Sequence, residues 1–457
     1  MPVNKPQNFA DANDILLEDY LPRARELYNS STILRMRLRR KKVEVGGRDF
    51  NYGIKATRNE AVGGRVNSSS VALSSMPALP TAGSLGYDAA KFKLVNLYAG
   101  FIIAGDVIAS SNKAALVSTL DEESKAVTKR LAEEENLQAF GLGTHAVAKI
   151  ASGGGTGTLV LTNTYPWSGN KYIRTGMRLT PNPATNDSGV QLVVASVNAD
   201  GVTITVTAEA SSFNGSGSPN VNQSANDDLL FYGEARGAAG SATAESFGAG
   251  LFGLIAGIET RNPRNAAFGA ETSRVVGGDP TGLYGNIDRS TAGNEFWQGN
   301  VSNGADNAGA ATGTIEMMHR MMHAADIAQQ GNIDLIVTTH ALLRQYCRGV
   351  SRQWNDMIKT IDRGYKMALF NGVEVVADRH CPTGTMFFLD SSSWDWCYSE
   401  DINFQDYGGA VLERATSSVG RHDAWQGQLV AREQLACNNP GKNALIYGLS
   451  EQTAFTQ

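Results

Sequence analysis

The sequence predicts an α+β protein, and three stretches carry that prediction. One is an uninterrupted helical pattern over 111–140. A basic, strand-like stretch precedes it, and a charge-poor run of short alternating segments follows it over about 145–234. The 457 residues are enough for two or three cores. With 49 glycines and charged residues at only 19 %, the balance suits β-structure and long connections. A net charge of −5 implies no general affinity for phosphate backbones. The four cysteines, Cys347, Cys381, Cys397 and Cys437, form no CxxC pair, so they read as structural thiols in a reducing compartment. The polar start MPVNKPQNFADAND does not have the form of a signal peptide. The apolar runs Leu97–Ala104 and Ala249–Ile258 are too short and glycine-rich to span a bilayer.

Taken in order, the chain opens on a polar arm, 1–45, carrying a short amphipathic helix at Leu21–Tyr28. Between Arg35 and Arg65 ten basic residues face only Glu44, Asp49 and Glu60, a surplus of about seven. Leu34, Met36 and Leu38 alternate with arginines, a pattern open to a strand or a helix. After Gly46-Gly47, Phe50, Tyr52 and Ile54 alternate with polar residues and read as a strand. The Ser/Ala/Gly-rich stretch 61–90 and the apolar run Phe92–Ile108 bring the chain back. A basic β-finger results. Such a ribbon is marginal alone in water, and its open edges invite pairing, so a neighbouring copy is its expected cover. A flap or a nucleic-acid arm is the alternative.

The helix over 111–140 is capped by Ser110, Ser111 and Asn112 and closed by Gly141 and Gly143. Leu116, Leu120, Val127, Leu131 and Leu137 fall near one face, and Asp121/Lys125, Lys129/Glu133 and Arg130/Glu134 are oppositely charged pairs four apart. At 1.5 Å per residue the rod is roughly 40 Å long. In 145–234, Thr158–Thr162, Met177–Thr180, Gln191–Val197, Val202–Ala208 and Leu229–Tyr232 alternate between turn clusters. They predict an inserted small β-barrel or sandwich. A connection, 235–313, leads to an α/β unit, 314–390. It comprises a helix Thr314–Gln329, a buried strand Ile333–Thr338, a helix Ala341–Arg348, and strands Val373–Ala377 and Met386–Leu389 joined by Asp378–Gly384. The remainder, 391–457, returns towards the earlier parts.

Chemistry-bearing patterns are few. Gly153–Gly157 (GGGTG) has no following Lys-Ser/Thr and precedes a strand. His319 and His323 are four apart on a helix, without a third ligand at a telling distance, and read as flanking a methionine-rich packing face. GxSxG, HExxH and paired-cysteine clusters are missing. Asp378, Asp390, Asp395, Glu400 and Asp401 read as a solvated rim after the last strands.

The order of parts resembles the tailed-bacteriophage major capsid proteins of the Hong Kong 97-like (HK97-like) fold. The local matches are Arg58-Asn59 with Gly63-Gly64-Arg65, Asn136–Gly143, and Gly285–Trp297. The resemblance implies an N-arm over 1–45, an extended loop over 46–98 and a peripheral domain over 99–144 with a spine helix at 111–140. The β-domain is the insertion, and 314–390 is the axial domain. It implies a non-enzymatic chain without cofactor or metal, self-assembling through pentamers and hexamers into an icosahedral head around double-stranded DNA, which it touches only weakly. A separate scaffolding protein, a portal and a decoration protein are the implied further partners, with no membrane. Assembly is expected in the host bacterial cytoplasm, and the finished protein in the virion. The implied contact residues are Arg48, Lys55, Arg58, Asn59, Gly63, Gly64 and Arg65 on the loop, and Arg37, Arg39, Arg40, Lys41 and Lys42 on the arm. Asp378, Arg379, His380 and Pro382 are the expected ring-axis loop. An encapsulin-type compartment shell and a hydrolase with a carbohydrate-binding insert are the competing readings.

Overall fold

The computed structural model describes residues 21–30, 32–46, 49–55, 86–104, 113–143, 146–153, 157–163, 165–181, 192–208, 229–232, 250–258, 283–289, 294–304, 311–350, 358–360, 366–405, 411–417 and 420–451. Among these, helices and strands are mixed in one α+β molecule with three apolar cores.

The long helix runs Lys113–Phe140. Its buried seam is Ser124, Thr128, Leu131, Glu135 and Gln138, with Ala132, Asn136 and Ala139 beside it. The expected leucine face is therefore only partly the contact face: Val127 and Leu137 are half-buried, Leu137 against the inserted barrel. Hydropathy could not place the seam because its polar members are satisfied, some within the helix and some by distant residues: the Thr128 hydroxyl donates to the Ser124 carbonyl at 2.7 Å, while Glu135 accepts from Arg35. Of the expected pairs, Arg130 and Glu134 lie 3.8 Å apart, while Glu133 is held by Arg379 at 2.5 Å.

One face of the helix lies on a five-stranded sheet built around the 18-residue strand Gly420–Cys437. Strand Val95–Ala104 pairs antiparallel along one edge of it. Trp394–Phe404 and Leu412–Ser417 pair along the other, and Arg39–Lys42 adds to Trp394–Phe404 in parallel. The ambiguous segment after Thr32 is thus both: helix Ile33–Arg37, then strand.

Ala146–Ser152, Thr158–Leu161, Arg178–Pro181, Leu192–Val197, Thr203–Ala208 and Leu229–Tyr232 close into a six-stranded barrel. Inward residues such as Ile150, Leu159, Leu179, Leu192, Ile204 and Leu230 fill it. Gly153, in the weak phosphate-loop pattern, ends its first strand at φ +82°; a Cβ there would stand 2.3 Å from the Thr158 carbonyl. Its glycine serves a hairpin turn.

A seven-stranded mixed sheet forms the third unit. Its order is Asn300–Asn303, Ala444–Tyr447, Met386–Leu389, Leu335–Thr338, Val373–Ala377, Lys366–Phe370 and Ile358–Thr360. Both faces are covered. Ile336 and Phe388 meet Met317, Met318 and Met321 of helix Ala311–Gln329, while Leu335, Val337 and Phe387 join the core under the long helix. Burial on both sides is why these strands read as continuous apolar runs.

Candidate functional site

The basic arm finds its counter-charges within its own chain. Arg39 forks onto Asp395 at 2.6 and 2.8 Å, Lys41 stands 4.0 Å from the same carboxylate, and Tyr52 donates its hydroxyl to it. Arg40 pairs with Asp401 and lies over the Tyr398 ring at 4.5 Å; Arg37 meets Glu374 at 2.5 Å. Arg37, Arg39, Arg40, Lys41 and Lys42, the expected arm contacts to a neighbour, form or border a strand paired in parallel with Trp394–Phe404. Of the acids read as a solvated rim, Glu400 is exposed. Asp395 has 1 % of its side chain exposed, and Asp378 and Asp390 are buried too. Acids spaced along a strand end up beside cations only when another strand pairs in register, and that register is invisible along one chain.

The finger is rooted rather than loose. Asp49–Lys55 pairs antiparallel with Tyr87–Lys93. Phe50, Tyr52, Ile54, Ala90 and Phe92 face inward, Phe92 lying 5.2 Å from Tyr284. The other face shows Asn51, Gly53, Ala89, Lys91 and Lys93, with Tyr87 at 69 % exposure. Arg48, Arg58, Asn59, Gly63, Gly64 and Arg65 lie outside the described residues, as does the Lys55 side chain.

Next to the finger, strand Val95–Ala104 buries Val95, Leu97, Phe101 and Ile103 but turns Tyr98 and Ile102 outward at 55 % and 65 % exposure. Among the described residues no strand pairs with its outer edge. Large apolar side chains on an open strand are the usual ingredients of a contact between chains.

The loop Asp378–Gly384, the expected ring-axis loop, packs against the long helix and the inserted barrel. Asn136 of the long helix donates to Asp378 at 3.0 and 3.1 Å, and its amide lies 2.9 Å from His380 Nδ1. From the barrel, Lys171 donates to the Cys381 carbonyl (2.7 Å), Tyr172 to the His380 carbonyl (2.8 Å), and Ser168 accepts from the Thr383 amide (3.0 Å). Arg379 reaches Glu133. Asp378, His380, Cys381 and Pro382 are thus the joint between helix, barrel and sheet. Burial lowers the His380 pKa below its ordinary value against the pull of Asp378.

His319 and His323 are exposed, with ring centres 6.3 Å apart. Among the described residues no cluster of three His, Cys, Asp or Glu side chains is placed to hold a metal. Burial pushes the Cys381, Cys397 and Cys437 thiols up to about 12, so they stay protonated. No described helix is long and apolar enough to cross a membrane.

Sequence reasoning missed one grouping: Arg35, Glu135 and Glu433, wholly buried together. The available signal was Glu433 in the alternating face Leu429, Ala431, Leu435, Cys437. Within the quoted segment Gly285–Trp297, Ile287, Arg289 and Trp297 are buried, and the Trp297 indole donates to the Tyr284 carbonyl at 2.8 Å.

No family model matches this chain, and no curated protein matches it. Among solved structures, a cyanophage A-1(L) capsid asymmetric unit aligns over 91 % of this chain and 91 % of its own at 14 % identity, TM-score 0.43. The capsid of a native GTA particle aligns over 91 % and 90 % at 11 % identity, TM-score 0.41. The capsid of Myoviridae phage XM1 aligns over 92 % and 92 % at 6 % identity, TM-score 0.40. Likeness at this level does not by itself fix a fold.

Proposed function

We propose that this chain is the major capsid protein of a tailed bacteriophage, a shell subunit of the HK97-like fold that tiles an icosahedral head by contact with copies of itself. The observation that carries the reading is the rooted finger. Its base is locked into the core by Phe50, Tyr52, Ile54 and Phe92, while its outer face and the adjoining strand present Tyr87, Tyr98 and Ile102 to solvent. A chain that roots this ribbon in its core and leaves apolar residues uncovered beside it has built one half of an interface. The other half is another copy. Several printed titles of the aligned structures name capsids, and this reading gives the chain the same role.

In this reading Lys113–Phe140 is the spine, the five-stranded sheet its peripheral platform, and the seven-stranded sheet the axial unit; the barrel is an insertion between them. The finger residues Arg48, Lys55, Arg58, Asn59, Gly63, Gly64 and Arg65 reach the adjacent subunit. Exposed ion pairs there contribute ~0–1 kcal/mol each, so cohesion rests on area, roughly several thousand Å² per subunit. Contacts that close on themselves produce rings of five and six. A separate scaffolding protein, a portal and a decoration protein complete the head, assembled in the host cytoplasm and ending in the virion. The chain acts without catalysis or cofactor. Electron microscopy of the purified full-length protein tests this: closed shells or rings are expected, and a population of monomers alone at micromolar concentration refutes it.

A further inference from the structure

The buried grouping under the arm carries an imbalance of charge. Arg35 Nη1 lies 2.6 Å from Glu135 and 2.7 Å from Glu433, and Nη2 lies 2.6 Å from Glu433. Side-chain exposures are 1 % for Arg35, 2 % for Glu135 and 0 % for Glu433. Four elements supply the surroundings: Tyr28 and Asn29 from helix Leu21–Ser30, Arg35 from Ile33–Arg37, Glu135 from the long helix, and Trp396 with Glu433 from the sheet. The Arg35 guanidinium stacks 3.9 Å over the Tyr28 ring and donates Nε to Asn29. Trp396 donates its indole N–H to Glu433. Tyr28, Asn29 and Trp396 are neutral. Two carboxyl groups therefore share one cation in a space closed to water.

We propose that Glu135 and Glu433 hold one proton between them at neutral pH, on Glu135, and that this proton fastens the N-terminal arm to the body of the protein. The donors decide the side. Glu433 receives three, two from Arg35 and one from Trp396, so the negative charge rests there. Glu135, at the long helix, receives one Arg35 nitrogen and contacts the Tyr28 hydroxyl, and as an acid it donates its proton to Glu433. Like charges this close do not both ionise in a low-dielectric site. Burial, reinforced by Glu433, drives the Glu135 carboxyl well above its ordinary range, whereas at Glu433 burial is overcome by the Arg35 charge together with the bonds from Arg35, Glu135 and Trp396, which hold it down. Losing the proton to solvent leaves two carboxylates against one guanidinium, and the arm must lift to admit water. This holds whether or not the chain builds a shell.

The closed arm binds one proton more than the open arm, in which Glu135 titrates in the ordinary carboxylate range. Closure is full below that range and weakens about tenfold per pH unit above it, until the proton leaves. Glu135→Gln, a neutral donor of the same shape, removes that slope. The test is protease cleavage between Arg37 and Lys42 in the full-length protein, read by mass spectrometry from pH 6 to 9 and expressed as wild type over Glu135→Gln at each pH. A ratio rising about tenfold per unit over part of the range is expected; a constant ratio overturns the proposal. Infrared spectroscopy of the wild type grown on carbonyl-labelled glutamate gives an independent reading. A labelled protonated-carboxyl band at pH 7 is expected, and its absence overturns the proposal even if Glu135→Gln does not fold.

Discussion

Asp395 shows how one residue can anchor separate parts of the chain. It receives Arg39 from the arm and Tyr52 from the finger root while sitting at 1 % exposure on the sheet. Burial first, then the bond to Asp395, pushes the Tyr52 hydroxyl above its usual range, so it remains a donor. Asp395→Ala removes the acceptor of that buried hydroxyl and is expected to cost about 1–3 kcal/mol in urea unfolding. Arg39→Ala costs far less, since the guanidinium is 62 % exposed. His380 carries a pH effect of the opposite sign to that of Glu135. Its folded value is lowered below 6.5, so its contribution is intact above pH 6.5 and is lost as pH falls below that value. The thermal unfolding midpoint of the wild type relative to His380→Gln should therefore fall on acidification from pH 7 to 5.5, whatever other groups do to both proteins.

Elements meet here through short polar joints as well as apolar area. The barrel touches the rest through Ser168, Lys171 and Tyr172, with Tyr165 stacked 4.6 Å from Tyr447. Ser168→Ala with Tyr172→Phe leaves the barrel folded but removes two of these bonds, an expected loss of about 1–3 kcal/mol by differential scanning calorimetry. Unchanged stability would mean that the barrel hangs by its strands alone. Close approach matters as well. A Cβ on Gly253 would stand 2.4 Å from the Gly141 carbonyl, where Leu254–Ile258 meets the end of the long helix. Only the missing side chain lets those two backbones touch.

For the whole molecule, assembly is the function to be tested. Arg37, Arg39, Arg40 and Lys41 of the arm meet carboxylates within the chain, and in the proposed shell the finger's charges reach outward. Arg58→Glu with Arg65→Glu should give soluble subunits that form no closed particles by electron microscopy. Normal particle yield would remove the finger as the grip.

Much of this architecture could be read along the chain. The long helix, the five barrel runs from Thr158 to Tyr232 and the strands Val373–Ala377 and Met386–Leu389 were all legible, because each is specified by a period within one segment. The first barrel strand, Ala146–Ser152, and the sheet strand Trp394–Phe404 were not. Their residues are apolar and polar without clean alternation, since Lys149 and Asp395 are buried by partners far along the sequence. The meetings of the arm's cations with Asp395, Asp401 and Glu374, and of the loop Asp378–Gly384 with the long helix and the barrel, were not legible for the same reason. Local periodicity sets which segments are helix or strand. Which charge meets which, and hence where a proton is held, depends on neighbours hundreds of residues away, because a buried carboxylate is defined by the groups that replace its water.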